Sequence, residues 1–265
     1  MIQWLKAVDG ALRGHKQDPR SMLKEEGPVR LGPLILASLL LGVIYGLFMG
    51  LYAAFNRTPP CFEQLLASAI KVPALFLLTL FVTFPSLYVF GALLGVQLTL
   101  KETLRLVFVS LAVNLAVLAS LGPITGFFTL STTSYAFMKL LNVFFFAVSG
   151  AIGLTVLSSM LSRLERSETP LPARQGVKKE TAEAQDTRLQ GSTPVTVGSL
   201  WEPRSPGYRT FRVWLIIYAL VGAQMGWILR PFIGSPDLAF QWFRARESNI
   251  FVDIARSIAE LMSGK

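Results

Sequence analysis

The sequence predicts an all-α fold, a polytopic helical membrane bundle with about five transmembrane helices. Hydrophobic residues make up 52% of the 265 residues and charged residues only 15%, whereas soluble proteins carry about 25% charged residues. Charged residues are also absent from five intervals of 26, 29, 33, 23 and 17 residues. Because a spanning helix needs about 20 residues and satisfies its backbone internally, each interval predicts one transmembrane helix.

The predicted helices occupy residues 33–55, 73–96, 106–130, 140–162 and 211–233. The fifth is supported by the shortest uncharged interval, between Arg212 and Arg230, whose side chains can snorkel to opposite interfaces. A re-entrant fifth segment is the alternative. The chain then divides into an amino-terminal segment (1–31), a four-helix region (32–162), a linker (163–207), the fifth helix (208–234) and a carboxyl-terminal tail (235–265).

The distribution of Lys and Arg predicts the orientation of the bundle. Seventeen basic residues fall on the side of the amino terminus and eight on the other side. By the positive-inside rule the amino terminus is cytoplasmic, and five crossings place the carboxyl terminus across the membrane. The net charge of +9 follows from this topology and requires no nucleic acid as a partner.

Three segments outside the spans have amphipathic patterns. In the amino-terminal segment, Ile2, Leu5, Val8 and Leu12 recur at helical spacing, which suits a helix on an anionic leaflet or a short solvated tail. Residues 58–71 predict an interfacial elbow, with Thr58 as cap and Pro59 at the first helical position. In the tail, Ser235 and Pro236 repeat this signal. An apolar stripe follows, which predicts a helix on the far leaflet or against the bundle: Ile250, Ile254, Ile258 and Leu261.

The linker at 163–207 has a different composition from the rest of the chain. It contains five prolines, four glycines and mixed charges, and it has too little apolar surface to offset the entropy of ordering. We therefore expect a disordered cytoplasmic linker, either a simple tether or the binding site of a protein partner.

Small residues recur at intervals of four within the predicted helices. Such spacing lets helix backbones approach closely, and it predicts packing within the bundle or, through helix one, a homo-oligomer. The predicted packing glycines are Gly42, Gly46, Gly50, Gly91, Gly95, Gly222 and Gly226.

The sequence contains no recognisable catalytic or cofactor motif. One Cys and one His exclude a Cys-rich or multi-His metal centre in the monomer, and no phosphate-binding loop or nucleophile elbow is present. We therefore predict no enzymatic activity, no cofactor and no metal. The polar groups at membrane depth are the amides of Asn114, Asn142 and Gln224, which either bridge helices or line a polar path.

The stretch QMGWILRPFIGSP, residues 224–236, combines aromatic and basic residues. Arg230 precedes Pro231, and Arg244 and Arg246 follow on the same side of the membrane. These three guanidinium groups either anchor the helix end to lipid phosphates or bind phosphate or carboxylate groups at the interface.

The run KVPALFLLTLFVTFPSLYVFGALLG, residues 71–95, together with five spans and a cytoplasmic amino terminus, resembles the Ypt-interacting-protein (Yip) superfamily. The stretch at 224–236 is similar to that of a bacterial inner-membrane group without an assigned activity. The resemblance to the Yip superfamily covers residues 66–162, and the long linker departs from it. It implies a non-enzymatic bundle that acts as an adaptor or organiser in the membrane, whereas the similarity at 224–236 implies a bacterial inner membrane.

Three functions remain open at this stage. A scaffold, adaptor or assembly factor ranks first, with membrane lipids and a protein partner at the linker. A transporter or channel for a neutral or anionic solute needs a continuous path through the three amides. A lipid-modifying enzyme needs a nucleophile or metal site that the sequence does not offer.

Overall fold

The computed structural model describes residues 31–58, 60–93, 99–168, 206–235, 239–243 and 250–263, and the regular secondary structure in these ranges is entirely α-helical. The elements are α1 (Leu31–Phe55), α2 (Phe62–Leu93), α3 (Leu100–Ser131), α4 (Tyr135–Glu168), α5 (Pro206–Leu229) and α6 (Ile250–Met262). This confirms the predicted all-helical bundle. Helices α1 to α4 are each long and apolar enough to cross a membrane.

Helix α1 packs against both α2 and α3, and α4 packs against α3. Two contacts also connect α1 to α4: Tyr45 Oη donates to Asn142 Oδ1 at 2.7 Å, and the Tyr45 and Phe146 rings meet edge to face. Helix α5 lies on the outer side of α2, and α6 lies against α4. The core therefore sits around α1, which touches three other helices.

Helix α3 begins earlier than the sequence analysis predicted, at Leu100 instead of residue 106. Thr99 and Glu102 form a capping box: Thr99 Oγ1 accepts from the Glu102 backbone N–H, and the Thr99 backbone N–H donates to the Glu102 carboxylate. Since these two residues satisfy the first amide groups of the helix, α3 includes a charged turn before its apolar span.

The predicted interfacial elbow is not a separate element, which corrects the division at residues 58–71. Helix α2 begins at Phe62, and it continues without a break through Lys71 and Pro73. Thr58 and Pro60 precede the helix as non-helical residues. The physical reason is the close packing of α2 on α1 over this stretch, which offsets the hydrogen bond lost at Pro73.

Helix α5 also ends earlier than predicted, at Leu229 instead of Ile233. Pro231 disfavours helical geometry at the residue before it, and Arg230 to Ser235 are non-helical. Helix α5 nevertheless has 24 residues, Pro206–Leu229, and the apolar part of it that the structure describes in full is Leu215–Leu229. The fifth apolar segment is thus a helix that ends at Leu229 and is followed by irregular chain.

The linker boundaries also shift, because α4 continues to Glu168 and α5 begins at Pro206. In the tail, α6 confirms a helix over the predicted apolar stripe, whereas residues 239–243 are non-helical. The predicted amphipathic amino-terminal segment and most of the linker lie outside the described residues.

Candidate functional site

Helix α2 carries a row of three buried polar side chains, which we call the polar row: Gln64, Ser68 and Lys71. Their spacing of four and three residues places them on one face of the helix. The opposite face of the same turns is apolar and exposed, at Phe62, Leu66 and Ile70. This part of α2 therefore directs its polar groups into the protein and its apolar groups outward.

The polar row contacts the chain that follows α5, residues 230–235 and 239–243, which we call the return segment. Gln64 Nε2 donates to the carbonyl oxygens of Pro231 at 3.1 Å and Phe232 at 2.9 Å. Ser68 Oγ also donates to the Phe232 carbonyl. Because the return segment is not helical, its carbonyls lack intrahelical donors, and the polar row supplies them.

Lys71 is the most unusual member of the polar row, because only 3% of its surface is exposed. Its ammonium donates to the carbonyls of Pro231 at 2.9 Å and Trp242. It also lies 5.9 Å from the Trp242 ring centre and 5.4 Å from that of Phe243. A cation is favoured at this position because the carbonyl end of α5 carries partial negative charge and the aromatic faces attract it.

The polar row runs from one end of the bundle, where Gln64 and Ala53 both border Gly234, toward the middle, where Lys71 lies. Gly42, near the midpoint of α1, faces Pro73 of α2, two residues from Lys71. On the other side of α2, Gly226 of α5 faces Leu75. Helix α5 therefore ends level with the middle of α1, and the return segment continues from there: Gly234 lies against Gln64 and Ala53.

Among the three predicted amides, that of Asn142 has hydrogen-bond partners for both its oxygen and its nitrogen. Its Oδ1 accepts from Tyr45 Oη, and its Nδ2 donates to the Met138 carbonyl at 2.8 Å. Asn114 of α3 faces Gly153 of α4, and its buried Oδ1 has no hydrogen-bond partner within the described part of the chain. Gln224 belongs to α5, on the outer side of α2. The structure thus distributes the three amides over three helices.

Of the three arginines in the predicted guanidinium cluster, the structure describes only Arg230. Its guanidinium carbon lies 3.7 Å from the centre of the Trp227 ring, which is a stacked cation–π contact. The neighbouring Pro231 carbonyl receives the Lys71 ammonium. Arg244 and Arg246 lie outside the described residues.

The three glycines of α1 form the closest helix contact in the described bundle. A Cβ at Gly46 would lie 2.5 Å from the Ser68 carbonyl oxygen, and a Cβ at Gly50 would lie 2.7 Å from Leu65 Cα. At Gly42 the nearest atom, Pro73 Cβ, would be 3.2 Å away. Only glycine permits these backbones to approach so closely.

The glycines of α5 make looser contacts. A Cβ at Gly222 would lie 3.6 Å from Thr79 Cγ2, and one at Gly226 would lie 3.9 Å from Leu75 Cδ1, which are ordinary packing distances. Gly91 lies in the last turns of α2, and Gly95 lies outside the described residues. Sequence analysis did not identify Gly122 as a packing glycine, although Phe48 Cδ2 would lie 2.5 Å from a Cβ there.

Sequence analysis also missed the polar row, because Lys71 was interpreted as the charged boundary of a span. The available signal was the spacing of Gln64, Ser68 and Lys71 on one helical face. What the sequence does not contain is the position of the return segment, which lies about 160 residues further along the chain.

Among the described residues, no three His, Cys, Asp or Glu side chains are grouped so that they could hold a metal ion. Comparison of the chain with protein-family models, curated proteins and solved structures returned no match.

Proposed function

We propose that this multi-pass membrane protein acts as a non-enzymatic scaffold, adaptor or assembly factor. The observation that carries the proposal is that buried polar side chains form hydrogen bonds within the protein, between segments distant in sequence. The polar row of α2 binds the return segment, and Tyr45 binds Asn142. Ser110 Oγ of α3 donates to the Gly153 carbonyl of α4 at 2.6 Å. These bonds join distant parts of the chain and favour a closed bundle.

Irregular backbone at membrane depth is tolerated only where it is buried in protein or lines a water-filled cavity. In the return segment, Pro231, Ile233, Gly234 and Ser235 are buried. Their burial against α2 and α1 supports the first of these two cases, and so supports a closed bundle.

Transport of a neutral or anionic solute is the second candidate function. Two observations favour it. A helix that ends midway through the bundle, such as α5, is typical of transporter binding sites, and Asn114 Oδ1 is buried without a partner in the described residues. Against it, the oxygen and the nitrogen of the Asn142 side-chain amide are both already hydrogen-bonded within the protein.

The proposal extends to location and partners. The excess of Lys and Arg on one side supports a cytoplasmic amino terminus. The resemblance to the Yip superfamily supports an adaptor role, and the similarity at residues 224–236 supports a bacterial inner membrane. Membrane lipids surround the bundle in this proposal. A protein partner binds the linker at 163–207, and a second copy of the chain is a further candidate partner.

Cysteine labelling separates the two candidate functions. In a Cys61→Ser background, Ser110→Cys and Ser149→Cys place nearly isosteric thiols at two buried positions of α3 and α4. Thr58→Cys, at an exposed position of the α1–α2 connection, serves as the accessible control. A closed scaffold predicts that a membrane-impermeant thiol reagent labels only the control. Labelling of both buried positions from either side of the membrane would contradict the scaffold and favour a polar transport path.

A further inference from the structure

The amphipathic helix α6 is attached to the bundle by its polar edge. Asp253 Oδ2 lies 3.0 Å from Lys139 Nζ of α4, and Lys139 Nζ also lies 5.4 Å from the centre of the Tyr135 ring. One turn beyond Asp253, Ser257 is fully buried. The inward side of α6 therefore combines these two polar groups with Ile250 and Ile254, which are half-buried.

The remaining apolar side chains of α6 point away from the bundle. Phe251 is 56% exposed and Met262 is 84% exposed, and Ile258 is exposed between them. At 100° per residue these three side chains share one side of the helix. A helix on a water-soluble protein has the reverse arrangement, with its apolar stripe buried. The outward side of α6 therefore requires an apolar environment.

The position of α6 indicates which environment that is. Lys139 lies in the second turn of α4, and Phe144, further into the same apolar span, is exposed on the bundle surface. Exposed apolar residues on a membrane-spanning helix face acyl chains. The apolar side of α6 thus continues the lipid-facing surface of α4, at the end of the bundle where α1 and α3 terminate.

The charges of α6 fit the same environment. Arg256 and Glu260 are exposed on the side away from Phe251, where they can reach headgroups and water. A helix divided in this way between apolar and charged sides lies in the plane of a membrane interface.

We propose that α6 lies in the lipid interface at this end of the bundle, with Phe251, Ile258 and Met262 among the acyl chains of that leaflet. The Lys139–Asp253 ion pair fixes the helix to α4. The occupant of the apolar side is lipid, and a second copy of the chain is the principal alternative. This proposal holds for a scaffold and for a transporter alike.

Spin labels on the full chain test the proposal. Phe251→Cys, Ile258→Cys and Met262→Cys are each introduced with Cys61→Ser, and Arg256→Cys is the matched control on the charged side. The labelled proteins are reconstituted in bilayers of phosphatidylethanolamine with a minority of phosphatidylglycerol. Collisions with oxygen, which concentrates in lipid, are compared with collisions with a water-soluble nickel chelate. We expect oxygen collisions to dominate at the three apolar positions and nickel collisions at Arg256.

Three results would overturn the proposal. Nickel access at positions 251 and 258 equal to that at 256 would place the apolar side in water. Low access to both reagents with dipolar broadening between labels would place a second copy there. Low access to both reagents without broadening would mean that protein, not lipid, covers this side.

Discussion

Replacement of Lys71 by Met tests the bond between α2 and the return segment. Met has an unbranched side chain one heavy atom shorter than that of Lys, and it removes the ammonium. The Pro231 carbonyl keeps its bond from Gln64 at 3.1 Å, but the Trp242 carbonyl loses the Lys71 donor. A fully buried carbonyl left without a donor costs about 1–3 kcal/mol, and the cost at Trp242, which is 46% exposed, lies at the low end of this range. The lost cation–π contacts cost about 0.5–2 kcal/mol. Relief from burying a charge offsets part of this cost.

We therefore expect Lys71→Met to destabilise the docked return segment by about 2 kcal/mol, which corresponds to a roughly thirtyfold rise in its open fraction. Hydrogen–deuterium exchange of residues 231–243, followed by mass spectrometry in lipid nanodiscs, measures this opening. Lys139→Met is the matched control, because it removes a partly exposed ammonium from α4 and leaves α2 unchanged. Equal exchange in the native chain and in Lys71→Met would refute the role of Lys71.

Three further substitutions have defined expectations. Gly46→Ala places a Cβ 2.5 Å from a backbone oxygen of α2, and we expect it to lower the free energy of unfolding in detergent by about 1–3 kcal/mol. Gly32→Ala is the control and should cost nothing, because Gly32 has open space around it. Similar losses for both variants would contradict the close α1–α2 contact. Gly234→Ala forces a side chain onto a residue with φ of 78°, so its melting temperature should fall by an amount equivalent to about 1–2 kcal/mol. An unchanged melting temperature would refute the left-handed conformation. Tyr45→Phe removes a buried interhelical bond and should cost about 0.6–1.7 kcal/mol in the same unfolding assay, with no loss expected if the hydroxyl were not bonded to α4.

Much of the architecture follows from charge intervals alone. The positions of α1, α3 and α4 were predictable because a charge inside lipid is costly, so long uncharged runs identify spans. The same reasoning failed at Lys71. The buried ammonium of Lys71 is stabilised by carbonyls of a segment distant in sequence. No local sequence pattern around Lys71 predicts where that segment lies.

The ends of helices were less predictable for a related reason. Pro73 and Pro231 carry the same local preference against helix, yet α2 continues through the first and α5 ends before the second. The difference lies in tertiary packing: Gly42 of α1 faces Pro73 directly. For the candidate site, the sequence identified the amides and Arg230 but not the polar row, since its donors and acceptors come from opposite ends of the chain.

The central claim is that α5 lies along α2 and thereby brings the return segment to the polar row. Disulfide formation between Thr79→Cys and Gly222→Cys, in a Cys61→Ser background, tests it most directly. The ideal Cβ of Gly222 lies 3.6 Å from Thr79 Cγ2, within reach of a disulfide. The exposed Leu220→Cys, paired with Thr79→Cys, is the control. We predict rapid intramolecular oxidation in membranes for the Gly222 pair and none for the Leu220 pair. Equal oxidation of both pairs, or of the Leu220 pair alone, would contradict the account.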